Sequence, residues 1–215
     1  MSESGFTPPS PPDAPMGAAC DTSRSDATRN RERLLDAARR LIVAHGPEHV
    51  TMREVASAAG VGKGTLFRRF GDRDGLLLAL LDEADADFIE AYSCGPPPLG
   101  PGAPPGERLV AFGHALIDRT VTEGDLGSAL ARELLPELRI CSGSGRAFHA
   151  HVRVLLRESG VVGDHELLAR ALLSFLAFEA LDHLPEHTVP VTRLRAVWAD
   201  LVRRTTRPEE PPYGA

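Results

Sequence analysis

Cysteine is scarce in this chain: Cys20, Cys94 and Cys141 are the only three among 215 residues. Three scattered thiols make neither a disulfide framework nor a zinc motif, which fits a reducing compartment. Long apolar runs are missing too. The longest, "LLARALLSFLAFEAL" from Leu167 to Leu181, is interrupted by Arg170 and Glu179. It falls short of the roughly 20 apolar residues a bilayer span needs. No apolar run follows the N-terminal charges, so neither a signal peptide nor a membrane partner is expected, and the expected location is the cytoplasm. No alternating strand pattern persists anywhere. Nucleophile elbow, phosphate loop, metal signature and paired catalytic carboxylates are all absent, so no enzyme, cofactor or metal is expected. "GVGKGT" (Gly60 to Thr65) superficially resembles a phosphate loop, but it lacks the spacing and no strand precedes it.

The remaining composition is that of a globular chain, with 42% hydrophobic and 25% charged residues. Its net charge of −6 is unevenly spread. Residues 28–75 hold ten Lys/Arg against six Asp/Glu, a local +4, while residues 1–27 carry −3 and the remainder −7. A cationic segment on an acidic protein marks a local anionic partner, and duplex DNA is the leading candidate.

Helical patterning fills the chain, and the fold class is all-α. Residues 1–24, with "PPSPPDAP", read as a disordered tail. A first helix is expected from about Asp26 or Thr28 to His45, with Leu34, Leu35, Ala38, Leu41 and Ile42 as its stripe, stopped by Gly46-Pro47. Thr51 and Glu54 form a capping box for a second helix, and Val50 and Val55 a hydrophobic staple. Gly60 ends that helix, and a short third helix runs from about Gly62 to Phe70. Another is expected from Arg73 to Tyr92, capped by Asp72. "CGPPPLGPGAPPG" is a loop, and further helices are expected at about 106–122, 125–139, 145–159, 164–184 and 190–205. The organisation expected is a tail over 1–24, a helix-turn-helix unit over 25–72, a helical body over 73–207 and a short tail over 208–215.

A helix, a glycine turn and a short cationic helix form a helix-turn-helix, whose second helix enters a major groove. Ala56 is small where the helices cross, and Val61 and Leu66 fill the gap between them. Residues 28–77, with "TMREVASAAGVGKGTLFRRFGDRDGLL", resemble the DNA-binding domain of the tetracycline-repressor (TetR) family. Gly62 stands where many members have Ser or Thr, and Phe67 where many have Tyr, so two hydroxyls are lost. The resemblance implies that base and phosphate contacts fall on Arg53, Lys63, Gly64, Thr65, Phe67, Arg68, Arg69 and Arg73. The residues themselves agree on most of these. Arg reads guanine edges, Phe or a Thr methyl touches a thymine methyl, and Thr51 and Arg73 sit at helix starts suited to phosphate. Arg29 and Arg31 are further candidates.

The function expected is a DNA-binding transcriptional regulator, a ligand-responsive repressor that binds a palindromic operator as a homodimer. The alternative is a helical interaction module, or an activator without an inducer. One short recognition helix reads few base pairs, so two-fold symmetry is needed. The expected interface is Leu168, Leu172 and Phe175 on one late helix and Leu194, Val197, Trp198 and Leu201 on the last. Roughly 110 residues follow the proline-rich loop, more than dimerisation requires. An unidentified small apolar ligand, neutral or cationic, is therefore expected against Phe112, His114, Phe148, His149, Phe175, Phe178, Glu179 and His183. The acidic run Asp82, Glu83, Asp85, Asp87 and Glu90 lacks calcium-loop spacing and reads as a solvated face.

Overall fold

The computed structural model describes residues 18–122, 125–176 and 190–207. Among these residues the chain is helical and contains no strand. α1 (Ala18–His45) is longer than its stripe predicts and begins inside the expected tail. It ends at Gly46, whose φ of +84° closes the helix, and a 3₁₀ turn (Pro47–His49) follows.

α2 (Met52–Ala58) starts on the predicted capping box: Glu54 N–H donates to Thr51 Oγ1 at 3.3 Å, and Thr51 N–H to Glu54 Oε2 at 3.0 Å. The Thr51 hydroxyl, then its N–H, donates to the Glu54 carboxylate, so the Glu54 pKa is lowered. Val50 and Val55 are both buried, as a staple requires. Gly60 takes φ +66°, and Val61 N–H returns to the Ala56 carbonyl at 3.0 Å to turn the chain into α3 (Lys63–Phe70). Gly62 caps α3 without a side-chain bond.

α4 (Arg73–Ala84) is capped by Asp72, whose carboxylate accepts from Gly75 N–H at 2.8 Å. The single helix expected from Arg73 to Tyr92 is broken: Asp85 separates α4 from α5 (Ala86–Cys94). The interruption is one residue wide: Asp85 keeps helical dihedrals (φ −87°, ψ −9°), its N–H donates to the Leu81 carbonyl and its carbonyl accepts from Ile89 N–H, while its buried carboxylate pairs with Arg119 of α6 (Pro105–Val121) at 2.8 Å. The helix expected over 125–139 is likewise two, α7 (Leu126–Glu133) and α8 (Pro136–Ile140), parted at Leu134-Leu135 because Pro136 lacks the N–H that would continue α7. α9 (Gly143–Glu158), α10 (His165–Phe175) and α11 (Val191–Thr205) complete the body.

Two cores result. The first joins α1, α2, α3 and α4 with Leu130 and Leu134 of α7. The second joins α5, α6, α9, α10 and α11 around Phe88, Phe112 and Trp198. α11 crosses α6 at Gly113, where a Cβ would come within 2.0 Å of the Trp198 ring. That approach lets the buried indole N–H reach the carbonyls of Leu109 and Val110 at 3.2 and 3.1 Å. Among the described residues no helix is long and apolar enough to cross a membrane.

Candidate nucleic-acid interface and body cavity

α3 is anchored from beneath and presents its cations outward. Leu66 is fully buried, Phe70 is half-buried with the Arg31 guanidinium 5.4 Å from its ring centre, and Arg33 donates to the Ala59 carbonyl at 3.1 Å. Opposite them, Lys63, Gly64, Phe67, Arg68 and Arg69 are exposed, and Thr65 is half-buried. The Lys63 ammonium sits 5.3 Å from the Phe67 ring centre, which orders the only lysine in the sequence at the helix start. Arg53 is exposed on α2. Arg53, Arg68 and Arg69 make no ion pair among the described residues. Thr51 is exposed, with its hydroxyl held in the capping box at 2.7 Å from Glu54 Oε2.

Arg73 differs from its expectation as a phosphate contact. Its guanidinium turns inward: Nη2 donates to the Pro47 carbonyl at 2.6 Å and to Glu133 Oε1 at 2.8 Å, and Nε donates to the Val50 carbonyl at 3.2 Å. One side chain thus ties the turn before α2 and the start of α4 to the end of α7. Carbonyls and a carboxylate within reach outcompete solvent for a group with five fixed donors.

The body holds a cavity of about 290 Å³ between α4, α6, α7, α8, α9 and α10. Of the expected ligand residues, Phe148 and His149 line it. Phe112 does not: it is fully buried in an aromatic cluster, 5.3 Å from Phe88 and 5.5 Å from Tyr92 between ring centres. His114 is also elsewhere, with Nε2 3.1 Å from the Arg195 carbonyl oxygen between α6 and α11. Phe175 stacks on Trp198 at 6.1 Å. Phe178, Glu179 and His183 lie outside the described residues.

The acidic run is not simply a solvated face. Asp82 receives Gly143 N–H at 3.1 Å and Ser144 N–H at 2.7 Å, holding the start of α9, and Asp85 forms the buried pair with Arg119. Burial pushes the Asp85 carboxyl up, against the pull of Arg119. Sequence reasoning missed Asp85, Arg119 and Ser128 as cavity residues. Their only local signal is a polar side chain on a mostly apolar helix face. Among the described residues no group of His, Cys, Asp and Glu is arranged to hold a metal.

The expected dimer residues divide. Leu172, Leu194 and Trp198 are buried in their own core, because helical spacing alone does not say which of two apolar faces meets the body. Val197 is exposed, and Leu168, Phe175 and Leu201 are half-buried. Leu167, beside Leu168, is 64% exposed.

A cationic short helix set by a glycine turn on an all-helical body defines the helix-turn-helix class of DNA-binding proteins. Residues 34–80 match the family model described as "Bacterial regulatory proteins, tetR family", so this segment of the chain is similar to that family. It is 39% identical over 66 residues to the HTH-type transcriptional repressor AcnR of Corynebacterium glutamicum, over 31% of this chain and 35% of that protein. It is 40% identical over 66 residues to an HTH-type transcriptional regulator of Staphylococcus aureus strain USA300, again over 31% and 35%. The chain therefore aligns with about a third of the length of these curated relatives. Its fold is similar to that of RolR in complex with resorcinol (TM-score 0.65, 19% identity, 88% of this chain and 98% of that one). It is also similar to Thermus thermophilus FadR, a TetR-family repressor in complex with lauroyl-CoA (TM-score 0.64, 24% identity, 86% and 99%).

Proposed function

We propose that this protein is a transcriptional repressor that binds a palindromic operator as a homodimer and is released by a small molecule held in the body cavity. The observation that carries the reading is α3: Lys63, Phe67, Arg68 and Arg69 project together from a helix anchored by Leu66, on a protein that is otherwise acidic. Arg53 and Lys63 are the candidate base readers, and the other cations meet phosphate. Apolar side chains left uncovered on α10 and α11, with Leu168, Phe175 and Leu201 half-buried and Val197 exposed, support pairing of two copies. The cavity, with an apolar wall and a few polar groups, is built as small-molecule sites are. The ligands named for the RolR and FadR structures support that use of the body. Such a regulator works in the cytoplasm, where the chromosome is. An interaction module without DNA has no use for an outward cationic helix and is the weaker reading.

The test begins with genomic fragments selected on the purified protein. Lys63→Ala, Arg68→Ala and Arg69→Ala together should weaken binding at fixed salt by more than a hundredfold, about 3 kcal/mol or more, with the helical circular dichroism unchanged. Full affinity in that triple variant rejects the interface. A 23.1 kDa monomer in sedimentation at micromolar concentration rejects the dimer.

A further inference from the structure

The deep end of the body cavity differs from its walls. Leu81, Leu116, Ala131, Phe148 and Leu173 are apolar, but they close on a polar floor made by buried Asp85 and Ser128 and half-buried Arg119 and Asp125. On that floor carboxylates outnumber cations. Asp85 and Asp125 are two carboxylates facing one guanidinium, with Arg119 Nη2 2.8 Å from Asp85 and Nε 3.9 Å from Asp125. The serine hydroxyls nearby are already engaged: Ser128 Oγ donates to the Arg119 carbonyl at 3.0 Å, Ser142 Oγ donates to the Arg139 carbonyl at 2.7 Å, and Ser144, 3.1 Å from Ser142 Oγ, bonds the Asp85 carboxylate. Elsewhere the lining is cationic, with exposed Arg170 and half-buried Arg139, and includes exposed Ile140.

We propose that this cavity takes a compact, uncharged molecule with an apolar skeleton and a hydroxyl group that donates to Asp85, an alcohol or a phenol. An anion brings no proton to a floor rich in acceptors and meets two carboxylates there. An amine meets two guanidiniums in the lining and must shed its hydration in a mostly apolar space, a far larger cost than for a hydroxyl. A hydroxyl donates to the carboxylate and accepts from Arg119 without changing the charge of the floor. The volume, about 290 Å³, is at the lower end for organic ligands and suits a single substituted ring. The burial that raises the Asp85 pKa agrees with a floor that does not welcome further negative charge. Asp85 is also where α4 ends, so a ligand hydroxyl there competes with Arg119 at the far end of the helix that begins beside α3.

The assignment rests on the cavity being the effector site proposed above. Its test uses the full-length protein and four probes with one skeleton: 4-propylphenol, 4-propylanisole, 4-propylbenzoate and 4-propylbenzylamine. By titration calorimetry 4-propylphenol should bind at least about tenfold more tightly than each of the other three, since a site built to bond a hydroxyl rejects analogues without one. Asp85→Asn keeps the side-chain shape and removes its charge, and should narrow the phenol–anisole gap several-fold, because charged acceptors bond more strongly. If that variant does not fold, the ranking of the four probes on the wild-type protein decides alone. Tightest binding by the benzoate or the amine, equal binding of phenol and anisole, or binding of none of the four overturns the assignment. Operator release, measured in parallel, separates the two readings: a phenol that binds in the cavity and leaves the DNA complex intact defeats the effector role while the ligand class stands.

Discussion

The two cores of this molecule are made of different material. The buried members of the first are Leu, Ala, Ile, Val and Met, with no ring among them. The second buries Phe88, Tyr92, Phe112 and Trp198, with Phe148 and Phe175 beside them. The Phe88, Tyr92, Phe112 and Phe148 rings meet edge-on or tilted, as their quadrupoles favour, with Phe88–Phe148 at 5.4 Å and 79° and Phe88–Tyr92 at 5.5 Å and 80°. α2 and α3 cross closely over a glycine turn, where aliphatic side chains fill the gap, whereas the helices of the body pack around large, stiff rings. The DNA-facing unit is therefore set by caps and turns, and the body by a few bulky anchors.

The sharpest way to break this contrast is at an anchor. Trp198→Ala removes a fully buried ring and two hydrogen bonds to α6, and should cost about 3–5 kcal/mol. Hydrogen exchange should show the loss in α6, α9 and α11 while α1 to α3 keep their protection. An equal loss in both regions would make the two cores a single cooperative unit.

A smaller effect is expected at the joint between them. Arg73→Ala should cost about 1–3 kcal/mol, the range for bonds to a half-buried charge. Glu133→Ala should cost less, because Arg73 keeps its two carbonyl partners. In a double-mutant cycle the two should be non-additive. If Arg73 instead contacted phosphate, its loss would lower the salt slope of DNA binding by about one while Glu133→Ala left that slope alone.

The gentlest probe is acid. His151 stacks on Tyr92 at 4.1 Å, and burial, aided by the Arg108 charge, lowers its pKa from 6.5 to about 4. Burial likewise raises the Tyr92 pKa to about 12. Between pH 6.5 and about 4 the unfolded chain protonates the imidazole and the folded chain does not. Stability from this group is full above pH 6.5 and falls as the pH drops through that window. After allowance for partial exposure the loss is about 1–2 kcal/mol. Urea unfolding at pH 7 and pH 4.5 should show His151→Phe to be less acid-sensitive than wild type by that amount; equal sensitivity rejects the assignment.

The DNA-facing unit was legible because its signals are local. Thr51 with Glu54, Val50 with Val55, and Gly60 each act within a few residues, and each does what its spacing predicts. The end of α1 and the start of α11 were legible for the same reason. What was not legible depends on partners far along the chain. Asp85 is buried against Arg119, and Arg73 turns inward to Glu133. Trp198 has an apolar face like that of an interface helix, and only Gly113 reveals that the ring lies inside. In the cavity, Phe148 and His149 were found by type, while Asp85 and Arg119 carry the chemistry and look in sequence like ordinary surface charges.

Leu130 and Leu134 close the aliphatic core from α7, about fifty residues after α4 has been made. During synthesis, then, the reading head exists for a while with its lid missing. At about 5–20 residues per second the interval is a few seconds, in which Leu77, Leu80 and Leu81 have their helix but not all their neighbours. The proline-rich loop and α6 emerge during that wait, and the head becomes whole only once α7 folds back onto it. The order of manufacture differs from the order of the finished parts: the segment proposed to touch DNA is translated before the body, and it is completed only by residues belonging to that body.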